Sequence, residues 1–531
     1  MGTRSFSIDK ALIKARSFTK KGDVDQARKL YQSIIIAFPK NLRVLKALQE
    51  LPSEKIVSKD AKPSQDIINQ LINLFNNKEF EAIVEKSNYL TNEYPHNYFI
   101  WNILGVSYIS IKKHEEAINV FKNVINLNPD NVDGHYNMAL SYHGYGKLDE
   151  AVVYYKNALS IDPKYIKAYY NVALAFQNQG KLNEAIGAYE SAISLNPNYA
   201  EAYNNMGLAL QEQMKLDDAI NAYNKALTIN SNFAEAYNNK GLAFQEQGKF
   251  LESSENFIKA LSINSNYSEA NNNMGLSLQG QGRHNDALKY FKTALIQKPE
   301  YADAYYNIAN TFKDLSERKS AIENYESALR YNSDYELARA QKLHQQSHIS
   351  DWEKIKEDSK FISTLGIKKQ YIDPFTLLNL EDEPYRHRLR SEIYSSTKHI
   401  NEGKVSKIKT SKPNDFIRIG YFSADFKEHP VAYLITRMLE LHNRKKFKIY
   451  AFSYGINNND KMRKRISDAV DVFYDVYDKS DKEVALLARQ NRIDIAVDLN
   501  GYTNHARTNI FAYRVAPIQI NFLGFPGTSG A

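Results

Sequence analysis

The sequence predicts an α-solenoid of tandem helical repeats followed by a parallel α/β lobe, and two observations carry that expectation. From Tyr98 to Tyr335, seven units of 34 residues follow one another without insertion or deletion, opening at Tyr98, Val132, Ile166, Ala200, Ala234, Ser268 and Ala302. From Phe416 onward the period is gone, and short apolar runs alternate with helical stretches. A 34-residue period is the spacing of the tetratricopeptide repeat, a helix–turn–helix module in which each unit packs on its neighbours.

The totals agree. A chain of 531 residues is too long for one compact core, and 43% hydrophobic with 24% charged residues is the balance of a folded globular protein. Without cysteine, disulfides and thiolate metal sites are excluded. The opening MGTRSFSIDK has no apolar run, so no secretory leader is expected. Phe6 stands where myristoylation needs Ser or Thr. No apolar stretch is long enough for a membrane span, so an intracellular, cytoplasmic protein without a membrane partner is expected. The net charge of +8 is modest, and no nucleic-acid partner is expected. The densest basic cluster, Lys445, Lys446 and Lys448 with Lys461, Arg463, Lys464 and Arg465, reads as solvated helix ends.

Residues 1–97 read as degenerate repeats. Ala15, Ala27, Tyr31 and Pro39 hold repeat spacing, and a second worn unit covers about 66–95. Across 98–335 the pattern is sharp. Positions 4, 7, 8 and 11 of each unit form an apolar stripe on the first helix, as in Trp101, Leu104, Gly105 and Tyr108, and positions 20, 24 and 27 do so on the second. Small residues at position 8, such as Gly207, let the paired helices approach, and large ones at position 24, such as Tyr223, fill the space. Gly146, Gly180, Gly248 and Gly282 mark the turn between helices.

Position 6 is Asn in six units running: Asn137, Asn171, Asn205, Asn239, Asn273 and Asn307. At about 100° per residue this column lies about 200° from positions 4 and 8 and is expected to face away from the packing stripe. Asn is a mediocre helix former, so helix stability does not select it. An exposed amide offers a donor and an acceptor to a peptide backbone, so the column is expected to hold an extended chain.

Residues 336–415 read as a capping helix and linker, with a helix opening at Asp351-Trp352, an amphipathic stretch from Tyr385 to Tyr394, and a basic run from Lys404 to Lys412 before Pro413-Asn414-Asp415. From 416 to 531, strands at Ile417–Ser423, Phe447–Phe452, Val472–Tyr474, Ile493–Leu499 and Ile518–Leu523 alternate with helices at 431–441, 461–469, 482–490 and 506–513. Such alternation predicts a parallel sheet covered on both faces, with its site in the loops at the C-terminal strand ends. Those loops are polar: Ser423 to Pro430, Asn500 to His505, and Gly524 to Gly530. GxGxxG, GxSxG, HExxH and Asp-x-Asp motifs are absent from them, so neither a dinucleotide fingerprint nor a metal site is expected.

Three ordered motifs in this region, with the Asn column, resemble the O-linked N-acetylglucosamine transferase family. They are Arg418-Ile419-Gly420-Tyr421 running into Ser423-x-Asp425-Phe426-x-x-His429-Pro430; Asp498-Leu499-Asn500-Gly501-Tyr502-Thr503 with Arg507; and Ala516-Pro517-Ile518-Gln519 running to Pro526-Gly527-Thr528-Ser529-Gly530-Ala531. The resemblance covers the chain from about residue 98 to its end. It implies a Rossmann-like lobe, the first half of a GT-B catalytic region, and transfer of N-acetylglucosamine (GlcNAc) from UDP-GlcNAc to Ser or Thr of proteins. It also implies inversion without a metal or other cofactor. On that footing the partners are a nucleotide sugar and protein or peptide acceptors with extended Ser/Thr segments held by the Asn column. His429 would sit near the acceptor hydroxyl, where the family's corresponding histidine has been proposed as a general base; imidazole suits that task near neutrality. Asp425, Tyr502, Thr503, Pro526, Gly527, Thr528 and Ser529 would face acceptor or donor. His505 and His442 read as surface residues.

The family's second lobe, which carries most contacts to the uridine and diphosphate, has no counterpart before Ala531. The chain is therefore expected to be a fragment, inactive alone, with its sugar specificity set elsewhere. Two alternatives stay open: a non-enzymatic repeat adaptor that binds extended peptides, and a protein O-fucosyltransferase of the same architecture.

Overall fold

The structure is a computed structural model, and it describes residues 8–37, 42–51, 62–368, 370–398, 416–503, 505–527 and 529–530. Pro39, the run from Lys404 to Asp415 and Thr528 lie outside the described residues. The chain divides into two compact units, Met1–Asn232 and Phe233–Ala531. The division falls inside the repeat array rather than at residue 335. Repeats that pack only on neighbours share no single core whose edge would mark a domain boundary.

The first unit opens with helices Ile8–Lys20 and Val24–Ala37, and Ala15, Ala27 and Tyr31 are buried between them. Helices Leu42–Gln49, Gln65–Asn76 and Phe80–Glu93 follow. Four regular repeats complete the unit, each a 13-residue helix paired with a 14-residue one, as in Ala200–Glu212 with Leu216–Ile229. Within a pair, a Cβ on Gly207 would lie 2.6 Å from the Tyr223 ring. Position 8 is small because position 24 fills its space. The turn glycines Gly146 and Gly180 have φ of +83° and +71°, a conformation that Cβ penalises. Lys112 and Met214 take the same conformation at the equivalent position.

The second unit continues with three repeats, from Ala234–Glu246 to Arg318–Tyr331, and then helices Glu336–His348, Trp352–Ile362 and Pro384–Lys398. Asp351 caps the middle one by accepting from the Lys354 N–H. Arg390, 1% exposed, binds Glu381 and the carbonyls of Ile362 and Leu365 and so fixes the last helix to the capping segment. Among the described residues no helix is long and apolar enough to cross a membrane.

The face of the repeat helices differs from the expected one. Positions 3 and 10, as well as 8, are fully buried: Ala202 and Ala209, Ala236 and Ala243, Ala304 and Thr311. Position 6 lies about 60° from position 3 and about 40° from position 10. The Asn column therefore borders the contact with the preceding repeat, and the expectation that it stands exposed is corrected. Asn239 and Asn307 are buried, at 6% and 7% exposure. Side chains of the column donate from Nδ2 to position 5 of the repeat before: Asn137 to Asn102 at 3.4 Å, Asn171 to Tyr136 at 3.0 Å, Asn205 to Tyr170 at 2.8 Å, Asn273 to Asn238 at 3.0 Å and Asn307 to Asn272 at 2.9 Å.

The lobe is a five-stranded all-parallel sheet in the order β3-β2-β1-β4-β5. The strands are β1 (Ile417–Ser423), β2 (Phe447–Ser453), β3 (Val472–Asp475), β4 (Ile495–Asp498) and β5 (Ile518–Asn521). Alternate strand residues feed two cores. Phe422, Phe452 and Ala496 pack with Val484 and Ala488 on one face, and Tyr421, Ile449 and Val497 pack with Ile435 and Leu439 on the other. The helix expected at 506–513 shrinks to Asn509–Ala512. Arg463 is a second correction. It is 6% exposed, bound to Ser453 and Asp475 at 2.7 Å each, so it is a buried tie rather than part of a solvated cluster.

Candidate functional site

The chain runs outward from β1 through β2 to β3, then crosses back to β4 on the other side of β1. The C-terminal ends of β1 and β4 thus flank the point where the winding reverses, the place where open α/β sheets form a crevice. The first two polar loops meet there.

Asn500, 1% exposed, joins them. Its Oδ1 accepts from the Ser423 hydroxyl at 3.1 Å, the Ala424 N–H at 2.9 Å and the Tyr454 hydroxyl at 3.0 Å. Its Nδ2 donates to Asp425 Oδ2 at 2.7 Å. Ser423 Oγ in turn accepts from the Asp425 N–H at 2.9 Å. Asn500 was not singled out from the sequence as a site residue. The available signal was an amide following an apolar strand directly, where a buried polar group must find partners.

Asp425 is brought to His429, with Oδ2 3.7 Å from Nδ1. His429 precedes the helix Pro430–Leu441 as its N-cap, and its Nδ1 accepts from the Val431 N–H at 3.3 Å. The ring is 38% exposed.

Burial sets the electrostatics behind this pair. The Asp498 carboxyl is pushed above the usual range by burial, against the lowering effect of the Asn500 and Gly501 N–H groups. Burial raises the Tyr454 phenol well above its ordinary value, and the Asp498 charge adds to that. Arg507 holds the outer side. Its Nε donates to Asp481 at 2.7 Å, and its guanidinium lies 5.7 Å from the centre of the Tyr454 ring.

The other expected residues divide. Tyr502 is 5% exposed, and its hydroxyl donates to the Ser529 carbonyl. Burial first of all pushes its phenol up to about 12. It is a wedge packed edge-on against Tyr394 at 5.0 Å and Phe525 at 5.4 Å, joining the β4 and β5 loops to helix Pro384–Lys398. Thr503 closes its own turn by donating to the Asn500 carbonyl at 3.1 Å. Pro526 is exposed, and Gly527 and Ser529 are half-buried. Gly530, at φ +66°, passes so near the same helix that a Cβ would lie 2.3 Å from the Ser391 carbonyl carbon. His505 is exposed, whereas His442 is held by the Tyr421 hydroxyl at 2.9 Å. Among the described residues no group of three or more His, Cys, Asp or Glu side chains is placed to hold a metal ion.

Comparison with known proteins puts this lobe in a family context. Residues 397–531 match the model of glycosyl transferase family 41. Tetratricopeptide models match residues 11–41, 132–165, 154–187, 234–267, 272–312 and 302–335, and a TPR repeat model matches 105–144, 176–213 and 215–248. The chain thus carries tetratricopeptide repeats and a region that matches the family 41 glycosyltransferase model. Over 115 residues it is 41% identical to the probable UDP-N-acetylglucosamine–peptide N-acetylglucosaminyltransferase SEC of Arabidopsis thaliana, a match covering 22% of this chain and 12% of that protein. The Caenorhabditis elegans UDP-N-acetylglucosamine–peptide N-acetylglucosaminyltransferase is 35% identical over 116 residues, covering 22% of this chain and 10% of that protein. The probable transferase SPINDLY of Arabidopsis thaliana is 34% identical over 121 residues, 22% of this chain and 13% of that protein. The matches thus span about an eighth of the length of these relatives. An O-GlcNAc transferase mutant of Thermobaculum terrenum aligns at 23% identity and a TM-score of 0.33 over 56% of this chain and 51% of that one, a likeness too slight to carry an argument.

Proposed function

We propose that the chain serves a protein O-glycosyltransferase that moves GlcNAc from UDP-GlcNAc to Ser or Thr hydroxyls, with the repeats presenting the acceptor and the lobe contributing one wall of the active site. The observation that carries the reading is the family 41 match over residues 397–531, because it falls on a lobe whose β1 and β4 loops, joined by Asn500 and Asp425, meet at the sheet's switch point. His429 borders that site and is half-exposed to a substrate. Acceptor binding along the repeats would use the amide oxygens of column residues such as Asn137, Asn273 and Asn307, whose Nδ2 groups the ladder engages.

The test is transfer of labelled GlcNAc from UDP-GlcNAc to a Ser/Thr-rich peptide by the native gene product. Transfer that falls at least tenfold in His429→Ala supports the reading. Transfer of fucose from GDP-fucose instead would move the enzyme to another donor. A protein that binds the peptide and transfers neither sugar is the adaptor.

A further inference from the structure

The helix after β1 begins with Pro430, which has no N–H, so the first backbone donor at that helix end is Val431. His429 is extended, at φ −151° and ψ 147°, and this turns its ring back so that Nδ1 accepts the Val431 N–H at 3.3 Å. An imidazole nitrogen that accepts a hydrogen bond bears no proton, so the neutral ring carries its proton on Nε2. Asp425 does not reverse this assignment. Its Oδ2 is 3.7 Å from Nδ1, beyond N–H···O length, and the same oxygen is already engaged by Asn500 Nδ2 at 2.7 Å. Among the described residues no hydrogen bond holds Nε2, and the ring is 38% exposed.

We infer that His429 acts through Nε2–H as a hydrogen-bond donor to an oxygen of the bound substrates, either the acceptor hydroxyl or the sugar nucleotide, and not as the base that takes the hydroxyl proton. The inference rests on the glycosyltransferase reading for its substrates, but its structural half does not. For Nε2 to receive a proton, the ring would first have to move its own proton to Nδ1. That would break the cap and leave the Val431 N–H without its partner. Nδ1, the nitrogen with the free pair, faces the helix end and Asp425 instead. The geometry therefore separates two jobs in one ring: Nδ1 fixes orientation through the fold, and Nε2–H meets the substrate.

The experiment has two arms. In the full 531-residue chain labelled with ¹⁵N-histidine, two-bond ¹H–¹⁵N spectra at about pH 8, where imidazole is neutral, read the tautomer directly. The His429 signals are identified by their loss in His429→Gln. The expected pattern has Nδ1 unprotonated and Nε2 protonated, and a protonated Nδ1 or an averaged pair overturns the inference. In the native gene product, His429→Gln keeps a donor that cannot take up a proton near neutrality, so it should retain at least tenfold more GlcNAc transfer than His429→Ala. Equal loss in both variants overturns the donor role. If the wild-type protein transfers no GlcNAc, the functional reading fails while the spectrum still decides the tautomer.

Discussion

Asn500 Nδ2 lies 2.7 Å from Asp425 Oδ2, a bond between residues 75 apart in sequence that locks the loop after β4 to the loop after β1. The same amide's oxygen takes three further donors, so one side chain organises the floor of the crevice.

Removing that amide should therefore be expensive. Asn500→Ala leaves the Ser423 and Tyr454 hydroxyls and the Ala424 N–H without their acceptor in a buried place. A loss on the order of 3 kcal/mol is expected, read from the lobe's transition in urea. Asn500→Asp should also destabilise, because it sets a carboxylate against Asp425 in place of a donor. An unchanged midpoint in either variant would show that the hub is not needed.

The asparagine ladder should appear as coupling between repeats. In a double-mutant cycle of Asn205→Ala and Tyr170→Phe, whose side chains meet at 2.8 Å, the interaction is expected to be about 0.5–1.5 kcal/mol. Native-state hydrogen exchange of the two repeats measures it locally. Strictly additive effects would mean that the bond is incidental.

Two glycines on repeat helices should respond to alanine with opposite sign. A Cβ at position 207 would lie 2.6 Å from the Tyr223 ring, so Gly207→Ala should cost about 1–3 kcal/mol by overpacking. At Gly187, inside helix Leu182–Leu195, a Cβ would meet nothing within 4 Å. There alanine should stabilise by about 0.5–1 kcal/mol. Urea unfolding of the two variants against the parent reads both.

Two carboxylates should shift stability with pH in opposite directions. Asp498 is raised above its ordinary 3.8 by burial, so the folded protein holds that proton more tightly than the unfolded chain does. Stability from this group is present below 3.8 and is lost as pH climbs through its folded value; Asn at 498 should flatten that fall. Glu440 is held down to about 2 by Arg465 first and then Arg437, from an ordinary 4.5. Its contribution is present above 4.5 and is lost as pH drops toward 2, and Glu440→Gln should remove that loss. Unfolding free energies of each variant and the parent across pH 2 to 7 decide both signs.

The repeat array was legible because its physics is one-dimensional. A 34-residue period with small residues at position 8 and rings at position 24 states both the pairing and its reason, and Gly207 under Tyr223 realises it. The lobe was legible for a similar reason. Apolar strands alternating with helices permit few layouts, and the polar loops after β1 and β4 fall where such sheets keep their sites.

The angles of single side chains were not legible. A helical wheel places position 6 relative to its own helix, but a solenoid helix is covered by a neighbouring repeat as well as by its own partner. The arc through positions 3 and 10 proved fully buried, and the asparagines turned from free rungs into bonds to the repeat before. Arg463 looked like surface charge until Asp475 and Ser453 enclosed it.

The sequence by itself determined the repeat unit, the order of the strands along the chain and the polar loops at the strand ends, since these follow from period and composition. Only the tertiary structure decided that Asn500 holds Asp425 and that the Val431 N–H claims Nδ1 of His429. The first bond depends on how β1 and β4, far apart in sequence, lie side by side. The second depends on the angle at which a helix leaves its strand. Neither is a property of any stretch of sequence read alone.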